Sequence, residues 1–434
     1  MVPSCRFAKT NGKARRLARG AALIFLAMSA AVAVHGQTYT ILHEFTGGSD
    51  GGFPLSGVTL DRAGNLYGTT SIGGSEFCAG GGCGGVYRMQ HRSGGWTLTP
   101  LFTFPDAAFA GMPNSRVVFG PDGTLYGTTE ADEPGDYGDV FRLQPPFSIC
   151  PAFSCPWRET HLYGFTNAPD GANPAGDVVF DNAGNLYGVT TNGGTSGSNC
   201  PNNRSCGTVY KLSRVQGGWQ ETVIYDFQGG DDGGFPNAVT FDSSSKLVGT
   251  TSSRGTNNRG TVFSLAPNGQ GLWSETTLYS FSGGVDGGSP AAGVIPDGSG
   301  GFLGTTSSGG SGGGGTVWQL SPSGGQWVLT TLTSFNDGGE PASVLTMDAA
   351  GRLYGTTLAG GGFHAGCVYK LTHTNGGWTL TTLFAFNGSS DGGQPYSNVS
   401  IDAAGNLYGT ARVGGGVIEY CFRIGCGVVW EITP

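Results

Sequence analysis

Carboxylates and thiols are the side chains of this 434-residue chain whose spacing is regular enough to do chemistry. An aspartate leads the motif Asp-Gly-x-x-Pro at Asp50, Asp170, Asp232, Asp286, Asp337 and Asp391. A second aspartate stands seven residues before the glycine of a Leu-Tyr-Gly-Thr-Thr block, at Asp61, Asp181, Asp242, Asp297, Asp348 and Asp402, and five before it at Asp122. Carboxylates on loops can ligate calcium through their oxygens. They can also cap turns, with Asp accepting backbone N–H groups, Gly supplying positive φ and Pro stiffening the next strand. Recurrence in nearly every copy favours the turn, because an active site is built once. No cofactor is expected, and calcium is the alternative for some of these carboxylates.

The cysteines are the second set. Cys5 lies near the N-terminus, and eight of the others form close pairs: Cys78/Cys83, Cys150/Cys155, Cys200/Cys206 and Cys421/Cys426. Such pairs in an exported chain are expected to be local disulfides. Each closes a small loop, so a modest share of global stability is expected from each. Zinc is the competing reading, weakened because the pairs are scattered and no histidine spacing matches them. Cys367 is left over and is expected to be a buried thiol at the start of a strand.

Catalytic constellations are absent from the pattern. After residue 36 the histidines are His43, His91, His161, His364 and His373, and none repeats. There is no His-x-x-x-His pair and no Gly-x-Ser-x-Gly elbow. The Gly-x-Gly matches around Gly309–Gly315 have no helix behind them to hold phosphate. A glycosidase-type pair of loop carboxylates stays open, though no pair stands out. The reading leans away from an enzyme.

The elements that position these residues form a repeat. The core block recurs seven times, centred on Gly68, Gly127, Gly188, Gly249, Gly304, Gly355 and Gly409, with Val248 and Leu303 in place of the tyrosine in two copies. A Phe ends the fourth segment of each copy at 45, 104, 165, 227, 281, 335 and 386, and a Trp precedes it by eight residues in six copies. Each copy holds four short runs rich in Thr, Val, Tyr, Phe and Trp, punctuated by Gly, Pro, Asp and Ser. That is the pattern of antiparallel strands and tight turns. Repeats of this period made of four strands imply propeller blades. Phase decides closure: the chain starts with a fourth strand, Gln37 to Phe45, and ends with a third, Gly427 to Ile432. Pairing them completes the last blade and removes two sheet edges. The expected fold is an all-β, seven-bladed β-propeller over residues 37–434, monomeric and closed by strand 37–45.

Residues 1–36 carry six bases and no acid, followed by an apolar run from Ala21 to Val34. This is expected to be a signal peptide, cleaved after Ala33 or Gly36. Fourteen apolar residues are too few to span a bilayer as a helix, and no later run is long enough. Removing the segment leaves 16 bases against 30 acids, a net charge of −14. Such a chain is not held to nucleic acid by its net charge. A secreted or periplasmic product with no membrane span is expected.

The stapled insertions break the sevenfold symmetry. From core glycine to third-strand valine is thirteen residues in four copies, but eighteen, twenty-one and nineteen after Gly68, Gly188 and Gly409. Those three loops carry three cysteine pairs and follow second strands, so they crowd one face. Phe77, Asn203, Arg204, Tyr420, Phe422 and Arg423 are the candidate ligand face, because loops on a rigid scaffold commonly carry binding.

The motif set Asp-Gly-x-x-Pro, Asp-x-x-Gly-Asn-Leu-Tyr-Gly-Thr-Thr, Gly-Thr-Val-Tyr-Lys-Leu, Gly-Gly-Trp and Leu-Tyr-Ser-Phe resembles the GloVer (Gloeobacter/Verrucomicrobia-type) tandem-repeat family of bacteria. Asp181 to Thr191 with Gly207 to Leu212 is its cleanest copy here. The resemblance covers Gln37 to Pro434. It implies an exported repeat protein, often with a surface anchor, and brings no catalytic residues; no C-terminal anchor is expected in this chain. The reading is therefore an exported binding module for a polysaccharide or another exported protein. A carbohydrate-active hydrolase or lyase and a purely structural envelope protein are the alternatives.

Overall fold

The structure is a computed structural model that describes residues 37–434 except 75–81, 106–110, 131–134, 147–156, 196–198, 201–204, 270–271, 337 and 417–420. The described residues form seven four-stranded antiparallel sheets, the blades of a seven-bladed β-propeller. Blades are numbered here from the first complete copy, and strands are counted from the axis outward. Blade 1 is Thr59–Leu60, Leu66–Thr70, Gly85–Arg92 and Gly95–Thr103. Blade 7 takes its outer strand from the N-terminus: Thr38–Glu44 runs antiparallel to Val428–Thr433, in register from Thr38↔Thr433 to Glu44↔Val428. The phase shift read in the repeats thus closes the ring. First strands are short, two residues in five blades, and reach eight or nine only in blades 3 and 4 (Ala172–Phe180 and Gly234–Phe241).

The core glycine has a steric reason. Each sits in a second strand opposite the aromatic residue of the third: Gly68↔Tyr87, Gly127↔Phe141, Gly188↔Tyr210, Gly249↔Phe263, Gly304↔Trp318, Gly355↔Tyr369 and Gly409↔Trp430. A Cβ on Gly127 would lie 2.7 Å from the Phe141 ring. The bare backbone lets the ring lie flat across the strand. On its other side that ring meets the Phe that ends the previous blade. Phe45–Tyr87, Phe104–Phe141, Phe165–Tyr210, Phe227–Phe263, Phe281–Trp318, Phe335–Tyr369 and Phe386–Trp430 pack at 5.0–6.3 Å between centroids. Each aromatic pair contributes about 0.5–1.5 kcal/mol beyond the area it buries. Seven in a closed ring make the blades one cooperative unit.

A bulge recurs beside each ring. Between Val86 and Tyr87 the register with the fourth strand slips, leaving Leu101 unopposed and buried. The same slip leaves Leu162, Ile224, Leu278, Leu332, Leu383 and Leu42 unopposed in the other blades. A bulge adds a residue and local twist. Here the added residue is always Leu or Ile, and it packs into the layer between blades.

Two sets of hydrogen bonds stitch neighbouring blades. The first threonine of the Gly-Thr-Thr block donates to a carbonyl of the next blade's inner segment. Thr69 reaches Ser115 O, Thr250 Ala292 O, Thr305 Ser343 O, Thr356 Ser397 O and Thr410 Ser56 O, at 2.7–3.3 Å. Blade 3 has Val189 at that position and cannot make the bond, and in blade 2 Thr128 Oγ1 donates instead to Ser115 Oγ of its own blade at 2.8 Å. The second set comes from the residue before the strand-entry proline. It adopts positive φ, 49–61°, in all seven copies: Phe53, Met112, Asn173, Phe235, Ser289, Glu340 and Gln394. Its N–H donates to the preceding blade's second-to-third loop, at Cys426, Cys83, Tyr137, Cys206, Arg259, Gly314 and Ala365 respectively, over 2.7–2.9 Å.

Candidate functional site

That second set of bonds gives the stapled loops a structural meaning. In blades 1, 3 and 7 the accepting carbonyl belongs to the second cysteine of a close pair. Cys200–Cys206 and Cys421–Cys426 are disulfides, with Cα atoms 5.6 and 5.2 Å apart. Cys83 is also disulfide-bonded, while Cys78, Cys150 and Cys155 lie outside the described residues. Each staple thus anchors a long loop at the point that grips the next blade. Cys367 is buried at the start of the third strand of blade 6, as expected, but it is disulfide-bonded rather than a thiol. The expectation failed because a lone cysteine in a repeat does not reveal a partner elsewhere in the chain.

The repeated aspartates are occupied by protein donors. Asp50 accepts from His43 Nε2, Thr46 N and Thr46 Oγ1. Asp170 accepts from Tyr163 OH at 2.6 Å and from Thr166 N and Oγ1. Asp232 and Asp286 repeat the pattern through Tyr225 and Tyr279, and Asp391 accepts from Asn387 N. Asp337 lies outside the described residues. On the opposite face the second aspartates close Asx turns: Asp61 Oδ1 accepts Ala63 N and Asn65 N, and Oδ2 accepts Asn65 Nδ2 and Tyr67 OH. Asp181 and Asp402 do the same. Partial burial acts to raise the pKa of Asp61 and Asp181, but these donors outweigh it and hold both below the ordinary carboxylate value. Turn-building is the role these bonds describe. Among the described residues no three His, Cys, Asp or Glu side chains converge to hold a metal.

First-strand segments of all seven blades line an axial cavity of about 470 Å³. Its walls are mostly small or apolar side chains, with Asn114, Asn237 and Asn398 and one charge pair, Arg116 and Asp177 of adjacent blades, joined at 2.6 and 3.0 Å. At the stapled-loop face the wall continues through Tyr396 into a stack. The Arg412 guanidinium lies 5.5 Å from the Phe53 ring and 6.0 Å from Tyr396. Phe422 stacks on Phe53 at 6.2 Å with 13° between planes. Phe422 is 70% exposed and Ile424 50%. Phe363, in the corresponding loop of blade 6, is 56% exposed. Of the six expected ligand-face residues, Phe422 and Arg423 are described and exposed at the tip of the Cys421–Cys426 loop. Phe77, Asn203, Arg204 and Tyr420 lie outside the described residues. Sequence reading missed Arg412 and Tyr396, because each sits beside, not within, the insertion.

Titratable groups gather on the outer strands of blades 2–4. His161 Nε2 meets Asp139 Oδ1 at 3.1 Å, and this bond raises the histidine pKa against the opposing effect of burial. Burial raises Glu159 beside them, and Phe102, Phe104 and Phe141 complete a cavity of about 160 Å³. Glu221 and Glu275 occupy the same fourth-strand position in blades 3 and 4. Burial first, and then Asp170 or Asp232 nearby, push each up to about 7. A glutamate whose folded pKa exceeds its unfolded value stabilises the fold below about 4.5, and the contribution disappears as pH rises towards 7. His161 acts in the same direction, losing its contribution as pH rises through its raised pKa. Thermal stability is therefore expected to fall between pH 5 and pH 8. Glu221→Gln with Glu275→Gln should flatten that dependence in melting curves, and an unchanged slope would show that these carboxyls do not set it.

The fold and its stapled rim define a disulfide-bearing β-propeller of tandem repeats. The chain belongs to the Gloeobacter/Verrucomicrobia repeat family, whose model matches residues 147–295 and 270–434, more than half of its length. The resemblance carried by the core motif is thereby borne out. No curated protein matches the chain. Among solved structures, a fungal alcohol oxidase in complex with copper is similar at 12% identity, over 92% of this chain and 76% of that one, with a TM-score of 0.55. A candidate 6-phosphogluconolactonase from Bacteroides uniformis is similar at 16% identity, over 76% and 85%, with a TM-score of 0.49. A candidate glucose dehydrogenase from Thermus thermophilus is similar at 13% identity, over 92% and 100%, with a TM-score of 0.44. At such identities the likeness to the oxidase is one of fold alone. Disulfides and family together fit an exported protein, and no helix among the described residues is long and apolar enough to cross a membrane.

Proposed function

We propose that this protein is an exported, non-enzymatic binding module whose ligand, a polysaccharide, docks on the stapled-loop face. The observation that carries the reading is the tip Phe422-Arg423-Ile424. It is held by a disulfide, Phe422 stacks on Phe53, whose ring also carries the Arg412 guanidinium, and the tip is left exposed on the stapled-loop face. A core would bury such a side chain, and a rigid exposed aromatic pays little entropy on contact. An arginine stacked between two rings presents its edge to hydroxyl or carboxylate oxygens. The signal peptide expected over residues 1–36 would deliver the chain to an oxidising compartment where the staples form.

The test incubates the protein cleaved of residues 1–36 with insoluble cell-wall and plant polysaccharides, scoring retention and released reducing ends. Retention without release is expected, at least tenfold weaker in Phe422→Ala. Released ends would replace the binding module with a carbohydrate-active enzyme. No retention on any polymer would overturn the glycan ligand and direct the search to exported proteins.

A further inference from the structure

The blade junctions are also filled by rings on the face opposite the stapled loops. The core tyrosine of one blade reaches the fourth-strand tryptophan of the next. Tyr67–Trp157, Tyr126–Trp219, Tyr187–Trp273 and Tyr408–Trp96 lie 5.9–6.4 Å apart. A second ring, the Phe that ends the next blade's first strand, packs on the same tyrosine: Phe119 on Tyr67, Phe180 on Tyr126 and Phe241 on Tyr187, at 4.9–5.3 Å.

Between blades 4 and 5 both rings are gone. Val248 stands where the tyrosine should be, and Pro296 where the phenylalanine should be. The space is a cleft of about 430 Å³, walled by Trp327, Phe302, Leu278 and Val248, with Asp242 and Lys246 at its edge. Trp327 is half-buried and so keeps part of its indole surface open to the cleft.

Losing the tyrosine also releases a carboxylate oxygen. In blade 1 Asp61 Oδ2 is used by Asn65 Nδ2 and Tyr67 OH. In blade 4 Lys246 replaces that asparagine and Val248 that tyrosine. Asp242 Oδ1 still accepts Ser244 N and Lys246 N, each at 2.8 Å, but no described group donates to Oδ2. Blade 5 also lacks the tyrosine, having Leu303, yet there Gln319 Nε2 fills the position, 2.7 Å from Asp297 Oδ2. Trp327 packs on Phe302 at 5.8 Å between centroids, and blade 4 alone among these combines an open cleft, a half-buried indole and a carboxylate oxygen with no described donor.

We propose that this cleft binds a neutral pyranose ring, at a site separate from the stapled-loop face. The volume falls in the range of small-ligand pockets. The indole offers an apolar platform for the C–H face of a sugar. Asp242 Oδ2 accepts from ring hydroxyls, and Lys246, Ser244 and Thr276 at the rim offer donors. A purely apolar ligand would strip water from Asp242 without replacing its hydrogen bonds, which is costly. An anion would face Asp242 and a cation Lys246, whereas a neutral polyol satisfies both.

The test is calorimetric titration of the protein cleaved of residues 1–36 with methyl glycosides of glucose, galactose, mannose and xylose, and with cellobiose. Val248→Tyr is the decisive variant, because it installs the residue that other blades already carry. It should fill the cleft and give Asp242 its donor, with a melting temperature unchanged or higher. The expected result is binding of at least one glycoside by the unaltered chain, weakened tenfold or more in Val248→Tyr and about fivefold in Asp242→Asn. Phe422→Ala should leave this binding unchanged while weakening polymer retention, so the two sites fail independently. Affinity in Val248→Tyr within twofold of the unaltered chain, or no binding of any of these sugars, would overturn the proposal.

Discussion

A chain lacking residues 37–45 is expected to lose the folded propeller. These residues supply the whole outer strand of blade 7 and the aromatic that closes the ring, Phe45 on Tyr87. Tyr39 stacks on Phe384 at 3.7 Å and donates from its hydroxyl to Asp391 O at 2.6 Å, while Ile41 and Leu42 pack into the layers beside blade 7. Burying an aliphatic or aromatic side chain is worth about 1.5–3 kcal/mol. Four such groups together are of the order of the 5–15 kcal/mol that stabilises a typical domain. Deletion would also bare the edge of Val428–Thr433, an invitation to intermolecular pairing. Loss of the cooperative melting transition and growth of high-mass species in size-exclusion chromatography are expected. A synthetic peptide of residues 37–46 added in trans should restore part of the transition. A shortened chain that melts as the complete one does would show that the ring does not depend on this strand.

Gly304→Ala is expected to destabilise the protein by about 2–3 kcal/mol, the usual cost of overpacking a close-packed interior. The added methyl falls inside contact distance of the Trp318 indole, which is completely buried and held on its far side by Phe281. Gly304 is not at positive φ, so backbone strain does not enter and the effect is steric. That makes it separable: in Gly304→Ala with Trp318→Leu the clash disappears, and the double variant should be more stable than the sum of the two single losses by at least 1 kcal/mol. Denaturant unfolding of the four chains measures this directly. Additive losses would mean that glycine serves some need other than making room for the ring.

The same comparison separates what repetition reveals from what it hides. Sevenfold recurrence of the core glycine, with Trp-x7-Phe and Asp-Gly-x-x-Pro in six copies each and Tyr-Gly in five, made the blades readable, because each residue answers a local demand that returns at most junctions. Asp61 and Asp50 were readable as turn aspartates for the same reason. Cys421 and Cys426, five residues apart in a lengthened loop, were readable as a staple. What stayed hidden were places where two distant segments complete one another. Arg412 meets Phe53 across the ring seam, His161 meets Asp139 across strands, and Cys367 has a sulfur partner that its neighbourhood in sequence does not suggest. The departures from the repeat were visible as letters: Val248 and Leu303 where tyrosine recurs, Val189 where threonine recurs. Only packing shows that the first opens a cleft, the second is compensated by Gln319 and the third drops one stitch between blades.

By itself, then, the sequence determined the strand content, the count of seven and the closure, because backbone pairing and turn chemistry depend on residues near one another along the chain. The tertiary structure decided which repeated groups are already satisfied and which remain free. A carboxylate oxygen or an aromatic face is available only if no neighbour from the next blade has taken it. Asp61 and Asp242 occupy the same place in the repeat, yet Asp61 Oδ2 is used by Tyr67 and no described group donates to Asp242 Oδ2.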